Sequence, residues 1–209
     1  MAELRPLIVK VAKMLTDSMD AKLGLVKMDE KRPEYWMLDK ILTDDMARML
    51  LKMGVRKPTT PEALSRKMKW DIGKIESLLE EMCDIGIVEY NWHNEDHHKQ
   101  YVLPVFVVGN AENLMLNKKI MEKYPETAEF FYQMGELPLK MISHMVPPGG
   151  AGLGFHVIPV ENAIPHESES LDIEHLSHWL QKYDKFCTMV CACRKAQRIR
   201  GEGVGDIEG

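Results

Sequence analysis

The stretch from Thr43 to Val107 is the most tightly punctuated part of this chain, and its punctuation constrains the fold. Thr43 offers the side-chain oxygen of an N-cap, and Asp44 and Asp45 suit the positive end of a helix dipole. Met46, Leu50 and Met53 share a face, and Gly54 closes the helix. Thr60 followed by Pro61 opens a second, short helix, because proline at the first helical position lacks only an N–H that would have no partner there. Asp71 caps a third, in which Ile72, Ile75, Leu79 and Met82 make one stripe and Gly86 is the stop. The period then changes from helical to alternating. Val88, Tyr90 and Trp92 interleave with Glu89 and Asn91, a polar loop covers Asn94 to Lys99, and a second strand runs from Tyr101 to Val107, with Pro104 marking a sheet edge. Three helices and then a hairpin predict a winged-helix domain over residues 34–108.

The flanks are more helical. Leu7, Ile8, Val11, Met14 and Leu15 recur at helical spacing, so residues 1–33 read as an N-terminal helix and a charged linker that ends at Pro33. Residues 109–209 read as a helical region with a Gly-rich loop and a Cys-rich C-terminal segment. Its helices are expected from Glu112 to Tyr124, from Pro125 to Met134 with Gly135 as a stop, and from Asp172 to about Tyr183 with Ile173, Leu176, Trp179 and Leu180 on one face. Phe155 to Val160 is strand-like. The expected class is α+β, mainly helical.

Charge limits the partners. The net charge of -5 at pH 7 argues against a chain built to hold a phosphate backbone. The third helix, which would have to enter a DNA groove, exposes Lys74 against Glu76, Glu80, Glu81 and Asp84. No sequence-specific DNA reading is expected from it, although Arg56, Lys57, Arg66, Lys67 and Lys69 make the second helix and its flanks more basic. No apolar run reaches the roughly 18 residues of a membrane span, and Met1 to Ile8 lacks a secretory pattern. A cytoplasmic location is expected, and homo-oligomerisation stays open.

Of four cysteines, Cys83 stands alone, while Cys187, Cys191 and Cys193 fall within seven residues. That is no disulfide framework. In a reducing compartment it points to metal or redox chemistry, since clustered thiolates hold soft metals and iron–sulfur clusters. On a strand, Cys191 and Cys193 would put both thiols on one face, and Arg194, Lys195, Arg198 and Arg200 would favour thiolate. His178, with His175 three residues before it, is a further candidate ligand. The opposing reading makes Phe186 to Cys191 a core strand. Other features carry less. His93, Glu95, Asp96, His97 and His98 read as a solvated turn, and His144, His156 and His166 are scattered. Gly149, Gly150, Gly152 and Gly154 miss the dinucleotide fingerprint because Phe155 stands where its third glycine belongs.

Pro147-Pro-Gly-Gly-Ala-Gly-Leu-Gly154, His156-Val-Ile-Pro-Val-Glu161, Ala163-Ile-Pro165, His175-Leu-Ser-His178-Trp179, Cys191-Ala-Cys193-Arg194 and Gly201-Glu-Gly203 together resemble the N-terminal region of a family of large anaerobe flavoproteins. These are FAD-dependent pyridine-nucleotide-disulfide oxidoreductases with ferredoxin-type iron–sulfur segments. The resemblance runs from about Pro33 to the end of the sequence. It implies an iron–sulfur cluster, with Cys191 and Cys193 matching the family's first two cluster cysteines. It also implies flavoprotein and ferredoxin domains as partners within a longer chain or complex. The family's next cysteine falls in the Gly-Glu-Gly segment, where this chain has Val204, and Cys187 is not part of the family pattern. Nothing in these 209 residues resembles the FAD or NAD(P) domains, so those cofactors are expected in regions not present here, past Gly209. The leading expectation is therefore a non-catalytic electron-relay or docking module of an oxidoreductase. The alternative is a winged-helix transcriptional regulator that senses redox or metal through Cys187, Cys191 and Cys193.

Overall fold

The computed structural model describes residues 4–16, 18–142 and 176–203. It divides the chain into two compact units, one formed by Met1–Leu139 with Val190–Gly209 and the other by Lys140–Met189. The described residues are mainly helical, with one two-stranded sheet.

The first unit starts with α1 (Pro6–Leu15), which turns Ile8, Val11, Ala12 and Leu15 inward and packs on α3 (Pro33–Ile41) and α4 (Asp44–Met53). Between them lies the short α2 (Met19–Leu23), capped by Ser18 and closed by Gly24 at positive φ. Neither α2 nor α3 was predicted. Arg5 ties this corner together: it donates to Asp39 Oδ1 at 3.2 Å, to the Leu42 carbonyl at 3.0 Å and to Asp44 Oδ1 at 2.6 Å. Glu34 is fully buried. It accepts from Thr16 Oγ1 at 2.8 Å and from Arg32 at 2.6 and 3.2 Å, so its charge is matched where water cannot reach it.

The punctuated stretch folds as expected in its helices. Thr43, Thr60 and Asp71 cap α4, α5 (Pro61–Met68) and α6 (Ile72–Ile85), each accepting the backbone N–H three residues on. Met46, Leu50, Met53, Ile75, Leu79 and Met82 are buried. The stripe on α6 is one residue shorter than predicted: Ile72, at the first helical position, is 41% exposed. The strands are shorter too. β1 (Glu89–Asn91) pairs antiparallel with β2 (Gln100–Val102), and Tyr101 sits opposite Tyr90. Residues 55–59 add to the other side of β2. Arg56 donates to the Leu103 carbonyl at 2.8 Å, and Thr59 and Tyr101 exchange backbone bonds at 2.9 and 2.8 Å. Pro104 is thus no edge marker. It follows a strand flanked on both sides, and Phe106–Asn110 then forms one turn of π-helix, so the strand expected to reach Val107 stops short.

Beyond the hairpin, the helix expected from Glu112 to Tyr124 is two: α7 (Ala111–Leu116) and α8 (Lys118–Lys123). Asn117 divides them, ending one in extended conformation and capping the other through Ile120 N. α9 (Thr127–Ile142) runs through Gly135 and does not stop there. No capping bond forces a stop, and a helix-interior glycine costs only about 1 kcal/mol. Phe130 on α9 meets Trp36 and Phe106 edge-on at 5.9 and 5.8 Å, joining α3, α9 and the π-turn in one core.

In the second unit, α10 (Leu176–Lys182) is the described part of the helix expected from Asp172, whose first residues lie outside the described ones. The first unit resumes with α11 (Ala192–Ile199).

Candidate functional site

α11 fixes the cysteine pair. Its buried face is small, Ala192 and Ala196, which lets it lie close against α7. Lys195 donates its ammonium to the Met115 carbonyl at 3.1 Å. Arg200 lies over the Tyr132 ring at 3.4 Å and pairs with Glu129 at 2.9 Å and Glu202 at 2.8 Å. Gly203 packs where a Cβ would stand 3.0 Å from Arg198 Cα, so the chain after the helix folds back on it closely.

At the head of this helix Cys191 is the N-cap and Cys193 stands in the first turn. Cys193 is helical and Cys191 extended, so the two do not share the face of a strand. The two stand on either side of Ala192 at the helix start. Cys191 is half-buried and Cys193 exposed. The neighbouring arginines and lysine do not lower the Cys193 thiol. It is raised above its ordinary value, first by burial, then by the charge of Cys191 and of Glu112 on α7. Lys195 and Arg200 are turned to the Met115 carbonyl and to Glu129 instead. The core-strand reading of Phe186 to Cys191 is overturned: that segment is not a strand, and Phe186, Met189 and Val190 are exposed.

Cys187 is exposed and belongs to the second unit, as does His178, whose ring meets Trp179 edge-on at 5.3 Å. The Gly149–Gly154 loop, His144, His156, His166 and His175 fall outside the described residues. Among the described residues, no group of three or more His, Cys, Asp or Glu is placed to hold a metal ion. The turn with His93, His97 and His98 is exposed and organised by Asn94, which accepts from His98 N and donates to the His98 carbonyl.

A second surface lies on the hairpin, and the sequence reading did not single it out. Tyr90 and Trp92, about half exposed, meet edge-on at 5.4 Å, with the Lys99 ammonium 4.3 Å from the Tyr90 ring. Lys99 and the Tyr101 hydroxyl both donate to Glu80. Burial and this bond push Tyr101 up to about 12. Below the hairpin a shallow depression of about 450 Å³ is lined by Cys83, Gly86, Val88, Tyr90, Asn113 and Asn117. Burial pushes the Cys83 thiol up to about 12, which makes it inert at neutral pH.

No helix among the described residues is long and apolar enough to cross a membrane. Comparison with known proteins finds no matching family model, no similar curated protein and no similar solved structure.

Proposed function

We propose that this chain is a redox-associated module of a larger flavin-dependent oxidoreductase, in which a winged-helix body carries a thiol pair and serves electron relay or partner docking. Three helices, a strand-like segment between the first two and a hairpin hydrogen-bonded to that segment support the winged-helix reading. The outward side of α6 supports docking over DNA reading. Glu76, Glu81 and Asp84 are exposed on it, while Lys74 is engaged by Asp45 at 2.7 Å and lies 4.1 Å from the Trp70 ring.

The observation that carries the redox reading is the placing of Cys191 and Cys193 together at the head of a helix docked on this body. Two thiols are half of the set that holds an iron–sulfur cluster. The described residues therefore do not fit a cluster by themselves, and position 204, where the resemblance asks for cysteine, is valine.

Anaerobic incubation with ferrous iron and sulfide tests the reading. The chain should bind little, and Val204→Cys should raise iron and sulfide content and give a brown chromophore that Cys191→Ser abolishes. A colourless Val204→Cys chain, or uptake indifferent to Cys191→Ser, overturns it. Exposed Arg56, Lys57, Arg66, Lys67 and Lys69 favour the second reading, a transcriptional regulator. Sub-micromolar, sequence-specific duplex binding with a steep salt dependence would install that reading instead.

A further inference from the structure

We infer that the outer edge of β1 is a homodimer interface. It pairs antiparallel with β1 of a second copy about a two-fold axis at Tyr90, and Trp92 of each chain enters the depression of the other.

The hydrogen-bond register decides which backbone groups face outward. Tyr101 exchanges both of its backbone bonds with Thr59, at 2.9 and 2.8 Å, and the Leu103 carbonyl turns the same way to Arg56. Tyr101 therefore gives no bond to β1, and Tyr90, directly opposite, belongs to a non-hydrogen-bonded pair. The N–H and C=O of one strand residue point to the same side, so those of Tyr90 point away from the sheet. Among the described residues neither has a partner. Such an edge is a template for another strand.

The groups flanking Tyr90 favour a second copy as that strand. A two-fold axis at Tyr90 sets Tyr90 against its own copy, Glu89 against the partner's Asn91, and Val88 against the partner's Trp92. The two Tyr90 residues exchange both of their backbone bonds. One position out, the Val88 N–H is already given to the Met82 carbonyl at 3.2 Å, and the Trp92 carbonyl already accepts from Asn94 N at 2.9 Å. Those two groups would have faced each other across the axis. What remains, the Val88 carbonyl and the Trp92 N–H, also face each other and extend the pairing at both ends. No like charges meet, since Glu89 lies opposite Asn91 and Lys99 is held by Glu80.

Side chains complete the fit. Directly opposite residues share a face, so the partner's Trp92 lands beside Val88, which lines the depression of about 450 Å³ with Gly86, Asn113 and Leu116. In the single chain Trp92 is 50% and Tyr90 48% exposed, and the dimer covers both. A strand of three residues holds little by itself, so the indole in its depression carries most of the affinity. Knob and depression sit on one chain, as an isologous contact requires.

Sedimentation equilibrium of the full chain, from micromolar to millimolar concentration, tests the inference. A reversible monomer–dimer equilibrium is expected. Trp92→Asp should raise its dissociation constant at least about 30-fold, the loss of one buried aromatic anchor, while the circular dichroism stays unchanged. A second measurement reads the register in the Cys187→Ser, Cys191→Ser, Cys193→Ser chain. Cα atoms of a hydrogen-bonded antiparallel pair stand about 5.5 Å apart, within disulfide reach, so added Tyr90→Cys should oxidise to a linked dimer. Glu89→Cys should link to an Asn91→Cys chain and not to itself. A chain that stays monomeric at millimolar concentration overturns the inference and leaves the edge to a different protein. So does a dimer indifferent to Trp92→Asp in which Glu89→Cys self-links as readily as Tyr90→Cys. A dimer lost on Phe186→Ser and kept on Trp92→Asp would put the contact on the second unit, which also overturns it. None of these outcomes depends on iron uptake, so this inference and the iron–sulfur reading fail separately.

Discussion

Two glycines show how position decides the effect of one methyl group. Gly86 ends α6 at φ +87°, and a Cβ there would stand 3.1 Å from Asn113 Cβ and 3.3 Å from its backbone. Gly86→Ala should therefore cost about 1–3 kcal/mol, from left-handed strain and overpacking together. Gly135 lies inside α9 with open space where its Cβ would be, and Gly135→Ala should gain about 0.5–1 kcal/mol. Urea denaturation of both variants checks the opposite signs, and equal shifts would remove the argument. Glu34 is a third case. Glu34→Ala leaves Arg32 and the buried Thr16 hydroxyl without their acceptor, a loss of about 2–4 kcal/mol by the same measurement. No change in the denaturation midpoint would mean the pair is not structural. Cys83 gives a chemical test. With its thiol at about 12 and partly buried, it should resist iodoacetamide at mildly alkaline pH while exposed Cys187 is labelled, and equal labelling would contradict its burial.

At the scale of elements, legibility followed the chemistry of the ends. Thr43, Thr60, Asp71 and Gly86 each act locally, through one side-chain oxygen or one left-handed residue, and so α4, α5 and α6 could be read without knowing their neighbours. What depends on distant partners could not. α3 carries buried Glu34 in its first turn, which the sequence presents as charge and the fold satisfies with Thr16, a residue of another element. The split at Asn117 hides in a continuous helical pattern, because an Asn can end one helix and cap the next. That Cys191 and Cys193 stand together near the C-terminal end was legible in their spacing. That a helix holds them was not, since Cys-x-Cys suits a strand equally well. Packing of α6 makes its own prediction: Leu79→Ala, at a position fully shielded from solvent, should cost about 2–5 kcal/mol in urea denaturation. A loss under about 1 kcal/mol would mean the site collapses around the void or is not the core position described.

At the scale of the whole molecule, the first unit is discontinuous in sequence: residues 190–203 complete a body whose other elements all begin before residue 140. α11 has eight residues, too few to hold a helix in water unaided, so the body that receives it is what makes it a helix. Removing it by ending the chain at Met189 should speed hydrogen exchange at α7, whose Met115 carbonyl it covers, and unchanged α7 amides would show that α11 is dispensable. The order of synthesis gives this arrangement a direction in time. While the ribosome is still adding the second unit, α1 to α8 are already made and the cysteines of α11 do not yet exist as neighbours. They arrive only after the second unit has been made, so an enzyme that would oxidise them or load them with metal meets a first unit whose other helices already exist.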